Sequence, residues 1–386
     1  NPKLREEVKD IVKYWLDMGC DGFRCDVITY IAKRDGLPNG KKTNPVIRGD
    51  EHFTNVPKIH DYLKELNRDV LSKYDCMTVG EGPLVGIKEG ILYTSEDREE
   101  LDTVFHFQHV EVDTFLQLIP KKLKLPRLKK IFSDWQLALR NKGWNSLYYE
   151  NHDQYRSIKR FAGDYGDKRV EAAKMLATSL YFQQGTPYVF QGQEIGMTNY
   201  QFKSWDEFDD VVAKTAHNIT KKLPKFIDNF ALKVMIKRAR DHSRTPMQWD
   251  SSENAGFTTG KPWLAVNPNY KDINVEQAVK DDDSIYNYFK KIIAYRKGNE
   301  IIKNGNYQES YPKHKDIFCY ERSYQGRSLF VICNFKNKEV AFQVPPYLQF
   351  YNESLEFHNY DYDRKLTDMV LRPYEALVFH LNNDKN

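Results

Sequence analysis

The chain has 386 residues and a mass of 45.6 kDa, enough to bury a large core, and its length alone predicts two or three domains. Its 58 basic and 54 acidic side chains leave a net charge of only +4, with the two signs interspersed. No phosphate-tracking stripe results, which argues against nucleic acid as a partner, and no apolar run is long enough to cross a bilayer.

From the N-terminus, residues 3–18 set Leu4, Val8, Ile11, Trp15 and Met18 on one helical stripe, with Gly19 in "GCDG" placed to stop the helix. "GFRCDVITY" (22–30) then reads as a strand, so that Arg24 and Asp26 share one face. A polar loop over 34–55 leads to a second helix, "VPKIHDYLKELNRDVLSKY", and a short apolar run, "CMTVGE". The same order repeats with a strand at "TVFHF", a helix around 127–142, a strand at "NSLYYE", a helix at 167–182 and a strand at "TPYVF". Alternation of this kind predicts an α/β fold, a parallel sheet with helical crossovers. Residues 203–240 read as charged helix, 241–283 as irregular, and 284–298 as a closing helix. After about 306 the grammar changes to short strands, "DIFCYERSY", "RSLFVICNF", "EVAFQV" and "EALVFHLN", with a turn in "FKNKEV". A small C-terminal antiparallel β domain follows from that change.

Five cysteines (20, 25, 76, 319 and 333) form no CxxC pair and no ligand cluster with histidine. They read as reduced thiols of a cytoplasmic protein, with no metal expected. An aromatic share of 14% would suit the flat faces of sugars, although core packing accounts for most aromatic side chains.

Three strand-like runs end in an acid: Asp26, Glu81 between Gly80 and Gly82, and Asp153 after His152 in "NSLYYENHD". In a barrel of parallel strands, side chains at the C-terminal strand ends gather over one mouth. Paired carboxyl groups there suit glycoside cleavage, one ionised and one protonated. On this reading Arg24 keeps Asp26 anionic, the flanking glycines let a substrate approach Glu81, and the charge of Asp153 disfavours ionisation of Glu81. His152 is a donor for a sugar hydroxyl.

These residues resemble the α-amylase superfamily of glycoside hydrolases. "DGFRCDVI", "TVGE" and "YYENHDQYR" are similar to its regions around the nucleophile, the acid/base and the third carboxylate. "KMLATSLYFQQGTPYVFQGQEIGMTN", "RARDHSRTPMQWDSSENAGFTTGKPWLAVNPNY" and the loop "KRDGLPNG" are similar to its oligo-1,6-glucosidase and α-glucosidase branch. The resemblance implies Asp26 as nucleophile, Glu81 as general acid/base and Asp153 as the transition-state-stabilising carboxylate. Arg24 and His152 would contact the first sugar, and Arg240 its non-reducing end. Retaining exo-hydrolysis of a terminal α-glucosyl residue is implied, with the two catalytic carboxyl groups about 5–5.5 Å apart. Val27 is the residue type that this branch associates with α-1,6 linkages, although a β-branched residue also suits a strand.

The resemblance further implies a (β/α)8 barrel of which the chain holds strands four to eight. The catalytic portion would span 1–305, with an insertion at about 195–283, and a β-sandwich-like domain would span 306–386. The first three strands, and the loop that binds a structural calcium in several relatives, have no counterpart, so no cofactor is expected. An unclosed barrel would expose a strand edge, from which we expect a fragment with weak or no activity alone. Tyr155 stands where the family usually has Pro, a change that bears on loop rigidity, and Gln193 gives "QGQE" for the commoner "QGEE". The partner expected is a short oligosaccharide, acted on by a monomer. Alternatives are a maltose-type α-glucosidase, a sucrose isomerase, a trehalose-6-phosphate hydrolase using Lys41, Lys42 and Arg48 of "GKKTNPVIRG", or a non-catalytic binding homologue.

Overall fold

The computed structural model describes residues 1–36, 38–41, 48–115, 119–348, 351–361 and 363–382. Lys42 of the basic loop lies outside them, whereas Lys41 and Arg48 are exposed. Two compact units are formed, residues 1–146 with 184–186, and residues 147–183 with 187–386.

The first unit contains α1 (Pro2–Asp17), β1 (Gly22–Cys25), α2 (Lys58–Asp69), β2 (Met77–Gly82), α3 (Ile87–Thr94), β3 (Thr103–His106), a small hairpin of β4 (Thr114–Phe115) and β5 (Ile119–Pro120), and α4 (Leu125–Leu139). Strands β1, β2 and β3 pair in that order and in parallel, as helical crossovers require. Ile28, Ile59, Leu63, Val85, Tyr93, Val104, Trp135 and Leu139 pack between the sheet and its helices.

Helix α1 departs from expectation. The stripe from Leu4 to Met18 faces outward, with Leu4 62% and Met18 67% exposed. Contact with the rest of the unit runs through the neighbouring arc instead. Val12 and Leu16 pack on Val70 and Leu71, while Arg5 and Lys9 form ion pairs with Glu65 at 2.7 and 2.9 Å. Hydrophobic periodicity locates a helix face without saying which neighbour covers it.

The second unit contains α5 (Arg169–Tyr181), α6 (Val211–Thr220), α7 (Lys225–Arg238), α8 (Asp241–Arg244), α9 (Val275–Lys280), α10 (Ile285–Lys297) and α11 (Glu300–Asn304). Ten consecutive residues of α5, Ala172 to Tyr181, are buried, as befits a helix without a strong polar face. The irregular stretch expected after 241 is punctuated only by α8, α9 and short 3-10 turns. Strands β6 (Ser146–Leu147) and β7 (Thr186–Pro187) are much shorter than "NSLYYE" and "TPYVF" predicted, two residues each.

The C-terminal part is antiparallel. Its main sheet has the order β12 (Asn352–His358), β14 (Ala376–Asn382), β10 (Arg327–Asn334), β9 (Ile317–Tyr324), β8 (Asn306–Ser310). A second pair, β11 (Val340–Phe342) and β13 (Met369–Leu371), covers it, with Ile317, Phe330, Ile332, Phe342, Leu371 and Phe379 enclosed. Strands β8, β12 and β13 escape the sequence reading because β8 mixes buried with exposed or polar residues, β12 has no buried residue and β13 is only three residues long.

Candidate active site

In the first unit the strand carrying Arg24 ends at Cys25, earlier than "GFRCDVITY" predicts. Asp26 lies in the turn beyond it. Val27 adopts φ 35° and ψ 42°, and a 3-10 turn over Ile28–Tyr30 follows. Strand preference therefore cannot explain a valine at 27, because the left-handed region is strongly disfavoured for β-branched residues. The strained backbone has a visible outcome: the Val27 N–H donates to Glu81 Oε2 at 3.0 Å.

Arg24 joins the two acids. Its Nη1 lies 2.6 Å from Asp26 Oδ1, and its Nη2 lies 3.0 Å from Glu81 Oε2. The acids nevertheless have unlike surroundings, since the Asp26 side chain is 71% exposed and that of Glu81 only 8%. Burial pushes the Glu81 carboxyl above its ordinary value. The Val27 N–H and the Arg24 charge oppose that shift, while a hydrogen bond from the Glu81 carboxyl to Asp26 and the charge of Asp26 reinforce it. One exposed carboxyl paired with Arg24 beside one buried carboxyl raised above its ordinary value is the kind of unlike pair that acetal cleavage uses.

The flanking glycines serve packing rather than substrate approach. A Cβ at Gly80 would meet Leu101 and Ile28 at 2.8 and 2.9 Å, and one at Gly82 would meet Val104 and Val85 at 2.7 Å. Only glycine lets β2 lie this close to its neighbours. A cavity of about 980 Å3 in the same unit opens at Met77, Asp102 and Thr103, toward the N-terminal ends of β2 and β3, and neither acid lines it.

In the second unit the loop after β6 carries His152 and Asp153. Asn151 Oδ1 accepts the Asp153 N–H at 2.8 Å, an Asx turn that presents the acid. Asp153 Oδ1 accepts from Arg240 Nη1 at 3.0 Å and from Arg244 Nη2 at 2.6 Å, and His152 Nε2 lies 3.3 Å from Oδ2. Arg240 also donates from Nε and Nη2 to Asp210 Oδ1, at 3.0 and 2.5 Å. Burial raises the Asp210 carboxyl, yet the hydrogen bonds from Arg240 and the Val212 N–H outweigh it and leave it below its usual range. Hydrogen bonding to Asp210 in turn raises Arg240. Asp241 Oδ2 accepts the N–H groups of Asp209 and Asp210, which fixes the direction of the Asp210 side chain.

Sequence reasoning missed Arg244 and Asp210. Arg244 was legible, since Arg240 and Arg244 in "RARDHSR" are four apart and α8 puts them on one face. Asp210 looks like an ordinary N-cap and is one, accepting the Val212 N–H at 3.0 Å. Its second role has no local signal. Losing one of two charge-assisted bonds should cost about 10- to 100-fold. Arg244→Gln is therefore expected to lower kcat/KM by that factor, measured on an aryl α-glucoside, and unchanged kinetics would refute the clamp.

Tyr155, expected to bear on loop rigidity, is buried with the Arg160 and Arg238 guanidinium carbons 4.9 and 5.4 Å from its ring centroid. This packing pins the loop where proline would have stiffened the backbone. Gln193 is buried, and its Oε1 accepts the Phe190 N–H at 3.3 Å. Among the described residues no group of three His, Cys, Asp or Glu side chains is arranged to hold a metal ion, and no helix is long and apolar enough to cross a membrane.

Comparison with known proteins adds independent information. Residues 1–305 match the family model described as alpha amylase, catalytic domain. The oligo-1,6-glucosidase of Bacillus cereus is 46% identical over 388 residues, which cover 99% of this chain and 69% of that relative. The trehalose-6-phosphate hydrolase of Bacillus subtilis (strain 168) is 39% identical over 388 residues, 99% of this chain and 68% of its own. Among solved structures, the trehalose-6-phosphate hydrolase of Bacillus licheniformis superposes with a TM-score of 0.93 at 38% identity, covering 99% of this chain and 69% of that one. A buried and an exposed carboxyl bridged by one guanidinium, on a chain matched at this depth, leave one conclusion: the chain belongs to the alpha-amylase family of glycoside hydrolases.

Proposed function

We propose that the chain acts as a retaining, exo-acting α-glucosidase on terminal α-1,6-linked glucose of short oligosaccharides such as isomaltose. The observation that carries this reading is the Arg24-bridged pair of Asp26, exposed and ionic, and Glu81, buried with a raised carboxyl. Similarity to oligo-1,6-glucosidases supports the linkage. Protonated Glu81 gives its proton to the glycosidic oxygen as Asp26 attacks the anomeric carbon, so the C–O bond breaks and a glucosyl ester forms. Ionised Glu81 then takes a proton from water, whose oxygen displaces Asp26, and glucose leaves with its configuration retained. Asp153 is the carboxylate that stabilises the transition state, with His152 and Arg240 binding the sugar.

The reading extends to strands β1, β2, β3, β6 and β7 as the fourth to eighth of a (β/α)8 barrel over 1–305, a separate β domain over 306–386, and a cytoplasmic monomer that needs no cofactor. Rates on isomaltose, maltose and trehalose-6-phosphate test it, with product anomers followed by NMR. Isomaltose should be cleaved fastest and the α-anomer appear first. Fastest cleavage of trehalose-6-phosphate would favour the alternative to which the relatives of that name point. A small change in a sugar pocket discriminates by about tenfold or more. Val27→Thr should therefore raise the ratio of maltose to isomaltose cleavage by about tenfold, and an unmoved ratio would refute the role of Val27 in linkage choice.

A further inference from the structure

The loop bearing Asp153 is closed beneath by an ion pair that the mechanism above does not use. Glu150 and Arg156 stand on either side of His152 and Asp153, and their side chains are 2% and 0% exposed. Arg156 Nη1 donates to Glu150 Oε2 at 3.1 Å and to the Gln191 carbonyl at 2.7 Å. Glu150 Oε1 accepts from Ser157 N–H and Oγ at 2.7 and 2.5 Å. The Arg156 N–H donates to Asn199 Oδ1 at 3.0 Å. Both ends of a short arch are thus tied to one buried carboxylate and to the 191–199 segment, with Asp153 at its crown.

The surroundings are shaped for this guanidinium. Gly192 has φ 85°, and a Cβ there would lie 3.2 Å from Arg156 Nη1 and 2.3 Å from Met197 Sδ. The Phe190 ring centroid is 5.5 Å from the guanidinium carbon. Two ions removed this completely from water are costly to keep. Apolar residues of the same volume would hold the loop ends together at least as stably, but they would not fix the angle of the arch. Asp153 itself is partly exposed: the Asn151 side chain holds its N–H, and Arg240 and Arg244 meet its carboxylate. Its direction toward Arg240 and Arg244 therefore depends on where the two ends of the arch stand.

We infer that Glu150 and Arg156 are positioning residues, a buried staple that sets the aim of Asp153 rather than the stability of the fold. The inference rests on the reading of Asp153 as the third carboxylate. Three variants of the full chain test it: Glu150→Gln, Arg156→Met and the double variant. Each single change leaves one ion buried without its partner and is expected to lower the melting temperature. The double change removes that imbalance and should return melting to within a few degrees of the wild type. Hydrogen exchange of the peptide spanning 148–160 should nevertheless stay about tenfold faster than wild type in the double variant, because the Ser157 N–H loses its carboxylate. Misplacement of a reacting group by about 1 Å costs on the order of a hundredfold, so kcat of the double variant should fall by about that much with KM little changed.

A double variant with wild-type melting, wild-type exchange and wild-type kcat would overturn the inference. A wild-type chain that does not cleave α-glucosides would defeat the proposed function instead, and the exchange comparison would still decide whether the staple holds the arch. Fast exchange with wild-type kcat would show that the staple orders the loop without aiming Asp153, which also overturns the inference.

Discussion

Glu81→Gln is expected to abolish most hydrolysis and to stabilise the protein at neutral pH. Loss of a general acid costs about 10²–10⁴-fold, and the loss should be greatest for sugars with poor leaving groups. Stability should move the other way. Burial, reinforced by Asp26, raises the Glu81 carboxyl against the opposing Val27 N–H and Arg24 charge. A carboxyl raised by folding contributes its stability in full below its unfolded value, and that contribution is lost as pH rises through its folded value. Glutamine cannot ionise and escapes the loss. Thermal melts from pH 4 to 8 should therefore show variant and wild type together at the acid end, with the variant pulling ahead as pH rises. The alkaline limb of kcat/KM, which reports deprotonation of Glu81, should vanish from any residual activity. Melting curves that coincide at every pH, or a gap widest in acid, would show that Glu81 is not held protonated by its surroundings.

Asp26→Asn should be the more severe change, lowering turnover by at least about ten-thousandfold, as loss of a nucleophile or its partner does in other covalent mechanisms. Glu81 should feel it as well. With the neighbouring charge gone and Arg24 left to Glu81 alone, two influences shift in one direction, and any residual pH profile should move to lower pH. A mechanism-based α-glucosyl trap should add one glucosyl mass to the wild-type peptide containing Asp26 and none to that of the variant. Absence of an adduct on the wild type would favour a non-catalytic binding homologue over an enzyme.

The three candidate acids were legible as a set because each follows an apolar run that ends abruptly, a signal that survives errors of several residues in strand length. The strands read at "NSLYYE" and "TPYVF" take in residues 148–150 and 188–190, yet β6 and β7 stop short of them. Tyr148 and Tyr149 are buried all the same, so the composition registered burial and not pairing. The stripe on α1 misled for a related reason, since periodicity marks a face and the covering neighbour is a tertiary fact. Asp210 was invisible because a residue can cap a helix with one oxygen and clamp a distant arginine through the same atom. The strand reading of position 27 failed because propensity describes the average residue, and this one is held by a bond to a side chain 54 positions away.

That bond ties two properties together at one position. The Val27 side chain is the proposed determinant of linkage choice, and its N–H holds Glu81, the proposed acid for every linkage. Selection for a new sugar at this site is consequently pleiotropic: each side chain tried there also resets how comfortably the backbone sits with φ at 35°. Few of the twenty residues can satisfy both demands, and lineages that switch diet should do so by narrow steps here, or by compensating elsewhere.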